Sequence, residues 1–109
     1  MTNKDYRKLI AARLDALDAE DARGREAQSV VTLDQQAVGR LSRQDALLGQ
    51  SMAKAAQTRR DAQRKALRAA LQRLDAGEFG YCDDCGEEIT PARLALDPAV
   101  TRCISCASG

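Results

Sequence analysis

The residues of this chain best suited to chemistry are four cysteines, all within the last 28 positions. They are arranged as Cys82-Asp-Asp-Cys85, then seventeen intervening residues, then Cys103-Ile-Ser-Cys106. A two-residue spacer lets one tight turn present two sulfurs to a single ion, and two such turns complete the tetrahedral thiolate shell that zinc favours. With no histidine in the chain, four thiolates are the only obvious ligand set. A closed four-sulfur shell leaves no position for water or substrate. The expected cofactor is therefore one structural Zn2+ held by Cys82, Cys85, Cys103 and Cys106. Binding of that kind supplies on the order of 10 kcal/mol or more to a small module. Here it is needed, because the local apolar set (Phe79, Tyr81, Ile89, Leu94, Leu96, Val100 and Ile104) is small.

Two other chemistries use the same spacing. Disulfides suit a secreted chain, whereas the N-terminus here is polar and charged and carries no signal-peptide pattern. A redox Cys-x-x-Cys normally accompanies a strand-helix unit of a larger α/β domain, and no such pattern surrounds these cysteines. Thiol-based redox sensing, in which oxidation ejects the metal, stays open as an alternative function.

Charge sets further bounds. The net charge of +1 hides an uneven distribution. Residues 1–26 balance at six positive and six negative charges, residues 51–73 carry a surplus of six positive, and residues 74–90 carry only Asp75, Glu78, Asp83, Asp84, Glu87 and Glu88. Four thiolates and a divalent zinc lower the formal total from +1 to −1, which makes the cysteine end acidic. A finger that reads DNA places Lys and Arg around its metal and follows its second knuckle with a groove-binding helix. Only Ala107, Ser108 and Gly109 follow Cys106, so sequence-specific DNA binding is not expected. The basic stretch reads either as the solvated face of a long helix or as a surface for an acidic partner or nucleic acid. No enzyme is expected: the chain lacks a Gly-rich phosphate loop, and Asp83 and Asp84 read as solvated residues of a knuckle turn. No window approaches the roughly 18 apolar residues of a membrane span, and the expected location is the cytoplasm.

The elements that must position the cysteines are helical. Hydrophobic content is 44% but leans on alanine, with one Phe, two Tyr and no Trp, which suits an extended α-helical chain rather than a large core. A first helix is predicted from near Asn3, capped by Thr2 or Asn3 with Asp5 in its first turn, and with Tyr6, Leu9, Ile10, Leu14 and Leu17 on one face. Gly24 is a plausible stop. A second helix of roughly 35 residues is predicted to begin at the capping pair Ser42 and Asp45 and to end at Gly77. Its stripe is Leu48, Met52, Ala55, Ala62, Ala66 and Ala69, with Arg59 at the heptad position between Ala55 and Ala62, before the larger residues shift to Leu67, Leu71 and Leu74. Two such stripes are best satisfied by packing on each other as an antiparallel hairpin with a close alanine-rich seam. A monomer is expected, with dimerisation through the same stripes as the alternative. Residues 25–41 then form a stretch too long for a minimal connection, a tip whose outward residues are candidate contacts. The predicted architecture is mainly α: a long antiparallel helical hairpin (coiled coil) over residues 1–77 with its tip at about 25–45, plus a small four-cysteine zinc finger over residues 78–109.

The string Phe79-Gly-Tyr-Cys-Asp-Asp-Cys-Gly-Glu-Glu-Ile89, followed by Arg93-Leu94, Pro98 and Cys103-Ile-Ser-Cys106, closely resembles the DksA/TraR zinc-finger family. The preceding Leu-Asp-Ala-Gly-Glu-Phe-Gly-Tyr fits the same pattern, and with the hairpin the resemblance extends loosely over the whole chain. It implies a bacterial transcription regulator, linked to the stringent response, that binds RNA polymerase directly and inserts its hairpin into the secondary channel. It also implies guanosine tetraphosphate as a candidate ligand at that interface. Two departures qualify the likeness. The Asp-x-x-Asp-x-Ala tip motif of the archetypal member is replaced, with Gly39 and Ser42 where the acids would stand. In addition, only three residues follow Cys106 where full-length relatives continue into a further helix. The tip instead reads Gly39-Arg40-Leu41-Ser42-Arg43-Gln44-Asp45-Ala46, as in shorter DksA-like members. The expected contacts are Asp34, Arg40, Ser42, Arg43, Asp45 and Ala46. The alternative from another class is a zinc-stabilised protein- or nucleic-acid-binding adaptor.

Overall fold

The computed structural model describes residues 2–37 and 40–108, with side chains described outside residues 26–46. Its elements are α1 (Asn3–Ala37), α2 (Arg40–Ala76), α3 (Pro91–Leu96) and α4 (Ile104–Ser108). Extended pairing among the described residues is limited to the isolated antiparallel bridge of Tyr81 with Glu88.

Both ends of the helical pair carry local signals that work as expected. At the start of α1 the Asp5 amide donates to Thr2 Oγ1 at 3.3 Å while the Thr2 amide donates to the Asp5 carboxylate at 3.0 Å, a reciprocal cap that uses Asp in place of the usual Glu. The Asp5 carboxyl is thereby held below its ordinary value, chiefly by the Thr2 backbone N–H. At the end of α2 the Glu78 amide reaches the Arg73 carbonyl at 2.8 Å and the Gly77 amide reaches Leu74 at 3.3 Å. These are the two bonds of a Schellman motif, and Gly77 supplies the left-handed φ of 73° that closes it.

The interior of the chain corrects the sequence reading in three places. α1 does not stop at Gly24 but continues to Ala37, and α2 already begins at Arg40, so residues 25–41 are largely helix rather than a long connection. A lone glycine costs a helix only about 1 kcal/mol relative to alanine, which neighbouring interactions override. Ser42 and Asp45 accordingly lie inside α2 and do not cap its start. Third, Leu48 and Met52 are exposed, at 62% and 65%, and Ala55, Arg59 and Ala62 are exposed with them.

The chain falls into two compact units, Asp15–Ala62 and Met1–Leu14 with Gln63–Gly109. In the first, Leu17 is buried on α1, while Ala53, Ala56, Gln57 and Arg60 are the half-buried residues of α2. Arg60 donates from Nε to the Asp21 carboxylate at 2.6 Å and from Nη2 to Gln57 at 2.9 Å. Its guanidinium lies 3.4 Å from where a Cβ on Gly24 would stand. A partly buried ion pair therefore occupies the seam where the sequence suggested alanines.

The second unit holds the core. Tyr6 and Ile10 of α1 and Leu67, Ala70 and Leu74 of α2 are buried together with Cys82, Ile89, Leu94 and Pro98. Tyr6 stacks at a tilt on Phe79 with ring centroids 4.9 Å apart, within the range of favourable aromatic pairs. Arg7 reaches Asp75 at 2.7 Å across the two helices, and Arg13 donates to the Leu96 carbonyl of α3 at 2.7 Å. The α1 stripe read from sequence is the buried face, and the Leu67–Leu74 end of the α2 stripe is as expected.

Candidate metal centre

The first knuckle grows out of the Schellman turn. Past Gly80 (φ 93°), the chain folds back so that the Ile89 amide donates to Gly80 at 2.7 Å and the Cys82 amide to Glu87 at 2.8 Å. Between these pairings Cys82-Asp83-Asp84-Cys85 makes its turn, closed by the Gly86 amide on the Cys82 carbonyl at 2.9 Å. Gly86 has φ 75°, a left-handed conformation that side chains rarely adopt, and this explains a glycine directly after the second sulfur. The second knuckle is built differently. Cys103 precedes α4, whose first turn includes Cys106, and the Ala107 amide returns to the Cys103 carbonyl at 2.9 Å.

The two knuckles are joined by the Asp83 amide on the Thr101 carbonyl at 2.8 Å and by the Arg102–Asp84 ion pair at 3.2 Å. Arg93, on α3, donates to the Arg102 carbonyl at 3.0 Å. Sequence reasoning passed over Arg93, Thr101 and Arg102 as structural partners of the knuckles. The one available signal was a basic residue directly before Cys103.

The result is a compact sulfur cluster. The Sγ atoms of Cys82, Cys85, Cys103 and Cys106 all lie within 4.8 Å of one another, and Cys85 and Cys103 are 3.8 Å apart. Sulfurs set tetrahedrally at about 2.3 Å from a zinc ion stand about 3.8 Å apart, so the donor set and its spacing fit that metal. Cys82 is buried, Cys103 and Cys106 are half-buried, and Cys85 is exposed.

Crowding separates the thiols electrostatically. Backbone amides of Cys103 and then Cys85 draw the Cys82 thiol down to about 6. The Cys103 side chain first, followed by those of Cys82 and Cys85, pushes Cys106 up to about 12. At Cys85 the Glu87 amide pulls downward, but the sulfurs of Cys82 and Cys103, with desolvation, outweigh it and raise the thiol. Four sulfurs this close cannot all ionise without a cation among them, and a divalent ion supplies that charge.

The candidate tip residues divide between the helices: Asp34 lies in α1, and Arg40, Ser42, Arg43, Asp45 and Ala46 lie in α2. Their side chains, and Gly39 altogether, fall outside the described residues. Among the described residues no helix is long and apolar enough to cross a membrane.

Two long antiparallel helices followed by a four-thiolate module define a helical-hairpin protein with one structural zinc. Residues 77–109 match the family model of the prokaryotic DksA/TraR C4-type zinc finger. The RNA polymerase-binding transcription factor DksA of Haemophilus influenzae is 48% identical over 50 residues, covering 43% of this chain and 34% of that protein. The protein of the same name from Escherichia coli strain K12 is 38% identical over 50 residues, covering 43% and 33%. The chain thus spans about a third of the length of these curated relatives. Its fold is similar to that of transcription factor DksA2 from Pseudomonas aeruginosa, with a TM-score of 0.84 over 97% of this chain and 80% of that one, at 21% identity.

Proposed function

We propose that this protein is a non-enzymatic transcription regulator that binds RNA polymerase, with its helical hairpin entering the secondary channel and modulating initiation without reading DNA sequence. The observation that carries this reading is the C4 module. Residues 77–109 match the zinc-finger family model, a 50-residue stretch of the chain is 48% identical to a protein named as an RNA polymerase-binding transcription factor, and the chain is similar in fold to a transcription factor. Cys82, Cys85, Cys103 and Cys106 are the zinc ligands in this reading, residues 1–77 the hairpin and residues 78–109 the metal module.

The division of labour follows from physical differences along the chain. The zinc module is acidic around its knuckles, which disfavours a phosphate backbone there and leaves contact with the polymerase to the hairpin. Asp34, Arg40, Ser42, Arg43, Asp45 and Ala46 are its contacts, with Asp45-Ala46 standing in for the displaced acidic motif. The protein acts as a cytoplasmic monomer, and guanosine tetraphosphate binds at the polymerase interface.

The test is a pull-down with the cognate polymerase core, followed by cross-linking from position 45 and transcription in vitro with and without guanosine tetraphosphate. Association, a cross-link within the secondary channel and a change in initiation are expected. Absence of association with the core removes the proposal.

A further inference from the structure

The last turn of the short helix α3 makes two contacts, one toward the second knuckle and one toward α1. The Arg93 guanidinium donates from Nε to the Arg102 carbonyl at 3.0 Å, one residue before Cys103. Three residues further on, the Leu96 carbonyl accepts from Nη2 of Arg13 of α1 at 2.7 Å. Between them Leu94 is buried, with its Cδ1 3.5 Å from where a Cβ on Gly80 would stand, so the helix is also seated on the base of the first knuckle. The Leu94 amide on Thr90 at 3.1 Å and the Asp97 amide on Arg93 at 2.9 Å hold its single turn, and Pro91 fixes its first φ.

We propose that α3 is a strut coupling metal occupancy of the four-cysteine site to the first turns of α1, with Arg93 and Arg13 as its two positioning residues. The ion adds the strongest constraint on the second knuckle, because segment 98–106 has little apolar burial beyond Pro98 and is otherwise held by the Asp83–Thr101 bond and the exposed Arg102–Asp84 pair. With the ion bound, the Arg102 carbonyl stands where Arg93 can hold it, α3 is anchored, and the Leu96 carbonyl is presented to Arg13. Without the ion, the Arg102 carbonyl is free to turn away, α3 loses one anchor, and Arg13 loses a fixed acceptor. Both are hydrogen bonds from a cationic donor to a backbone carbonyl, stronger than neutral ones. Linkage then requires the reciprocal effect: whatever steadies α1 against α3 also tightens the metal site.

The experiment measures zinc affinity by competition with a chromophoric chelator, and amide exchange of residues 9–14 with and without the metal. Arg13→Met keeps the aliphatic stem and removes the guanidinium, at a position 69 residues before the first cysteine. It is expected to lower zinc affinity by roughly tenfold, the scale of one charged hydrogen bond. It should also shrink the rise in exchange at residues 9–14 that follows metal removal. Arg13→Lys should restore part of the affinity. Arg93→Met should lower affinity at least as far, and the double variant no further than the larger single change, since a strut released from one of its two anchors transmits nothing from the other.

Arg7→Met is the control, because the exposed Arg7–Asp75 pair also ties α1 to its surroundings but does not touch α3. It should leave zinc affinity unchanged. Equal losses for Arg7→Met and Arg13→Met would show general loosening of α1 and overturn the proposal. So would unchanged affinity in Arg13→Met, or additive losses in the double variant.

Discussion

Arg60 and Asp21 meet at 2.6 Å between α2 and α1, with side chains only 17% and 13% exposed. This pairing explains why the inner face of α2 runs through Ala53, Ala56, Gln57 and Arg60 rather than through Leu48, Met52, Ala55 and Ala62. An unpaired guanidinium or carboxylate in that seam would be strongly disfavoured, and the two together satisfy each other.

Removing one partner should therefore cost more than removing both. Asp21→Ala, which leaves the guanidinium without a counter-charge and with Gln57 as its remaining acceptor, is expected to destabilise by about 2 kcal/mol, below the figure for a fully buried pair because some solvent screens it. Replacement of both residues by leucine should be near neutral or stabilising. Urea unfolding followed by circular dichroism checks both, and a larger loss in the double variant would show that the pair itself supplies net stability.

Gly24 stands inside α1 with the Arg60 guanidinium 3.4 Å from its missing Cβ, and no positive φ requires glycine there. A methyl group fits at ordinary contact distance against the end of a flexible side chain. Gly24→Ala should raise stability by about 0.5–1 kcal/mol through helix propensity. A fall in melting temperature would mean that the guanidinium cannot give way.

The reciprocal cap of Thr2 and Asp5 makes a pH prediction. Because the carboxyl of Asp5 is held below its ordinary value in the folded state, its contribution is complete above that ordinary value and is lost as pH falls toward and through the lowered one. Thr2→Ala should cost about 1 kcal/mol at neutral pH. Asp5→Asn should flatten the acid limb of the stability profile, and an unchanged limb would show that the cap is not formed in solution.

Zinc uptake should release protons in an uneven way. Where the metal-free sulfurs keep their cluster, Cys82, drawn down to about 6, is already ionised at pH 7.5 and releases none, whereas the raised Cys85 and Cys106 must each release one. Affinity therefore rises with pH through neutrality, and acid expels the metal. Calorimetry in buffers of different ionisation enthalpy counts the protons. Release of a full proton from every cysteine would show that the cluster forms only around the ion.

Replacing a ligand should be felt locally. Cys82→Ser removes the buried sulfur, and zinc stoichiometry should fall well below one with loss of protection throughout residues 78–109. Full zinc retention would contradict the four-sulfur site.

The sequence alone determined the features that depend on residues close together in the chain. Two Cys-x-x-Cys pairs can each form a turn with both sulfurs on one side whatever surrounds them, Gly77 terminates α2 because its own backbone adopts the left-handed region, and Tyr6, Ile10 and Leu17 share a face through helical periodicity. The tertiary structure decided what depends on distant partners. α2 carries two rows of heptad spacing, and in an Ala- and Arg-rich helix periodicity cannot rank them; Asp21, 39 residues away, draws Arg60 and not Ala62 into the seam. The same holds for Arg93 and Arg13, which both anchor the last turn of α3. In each case one residue's free energy is set by a group that only folding brings within hydrogen-bonding distance.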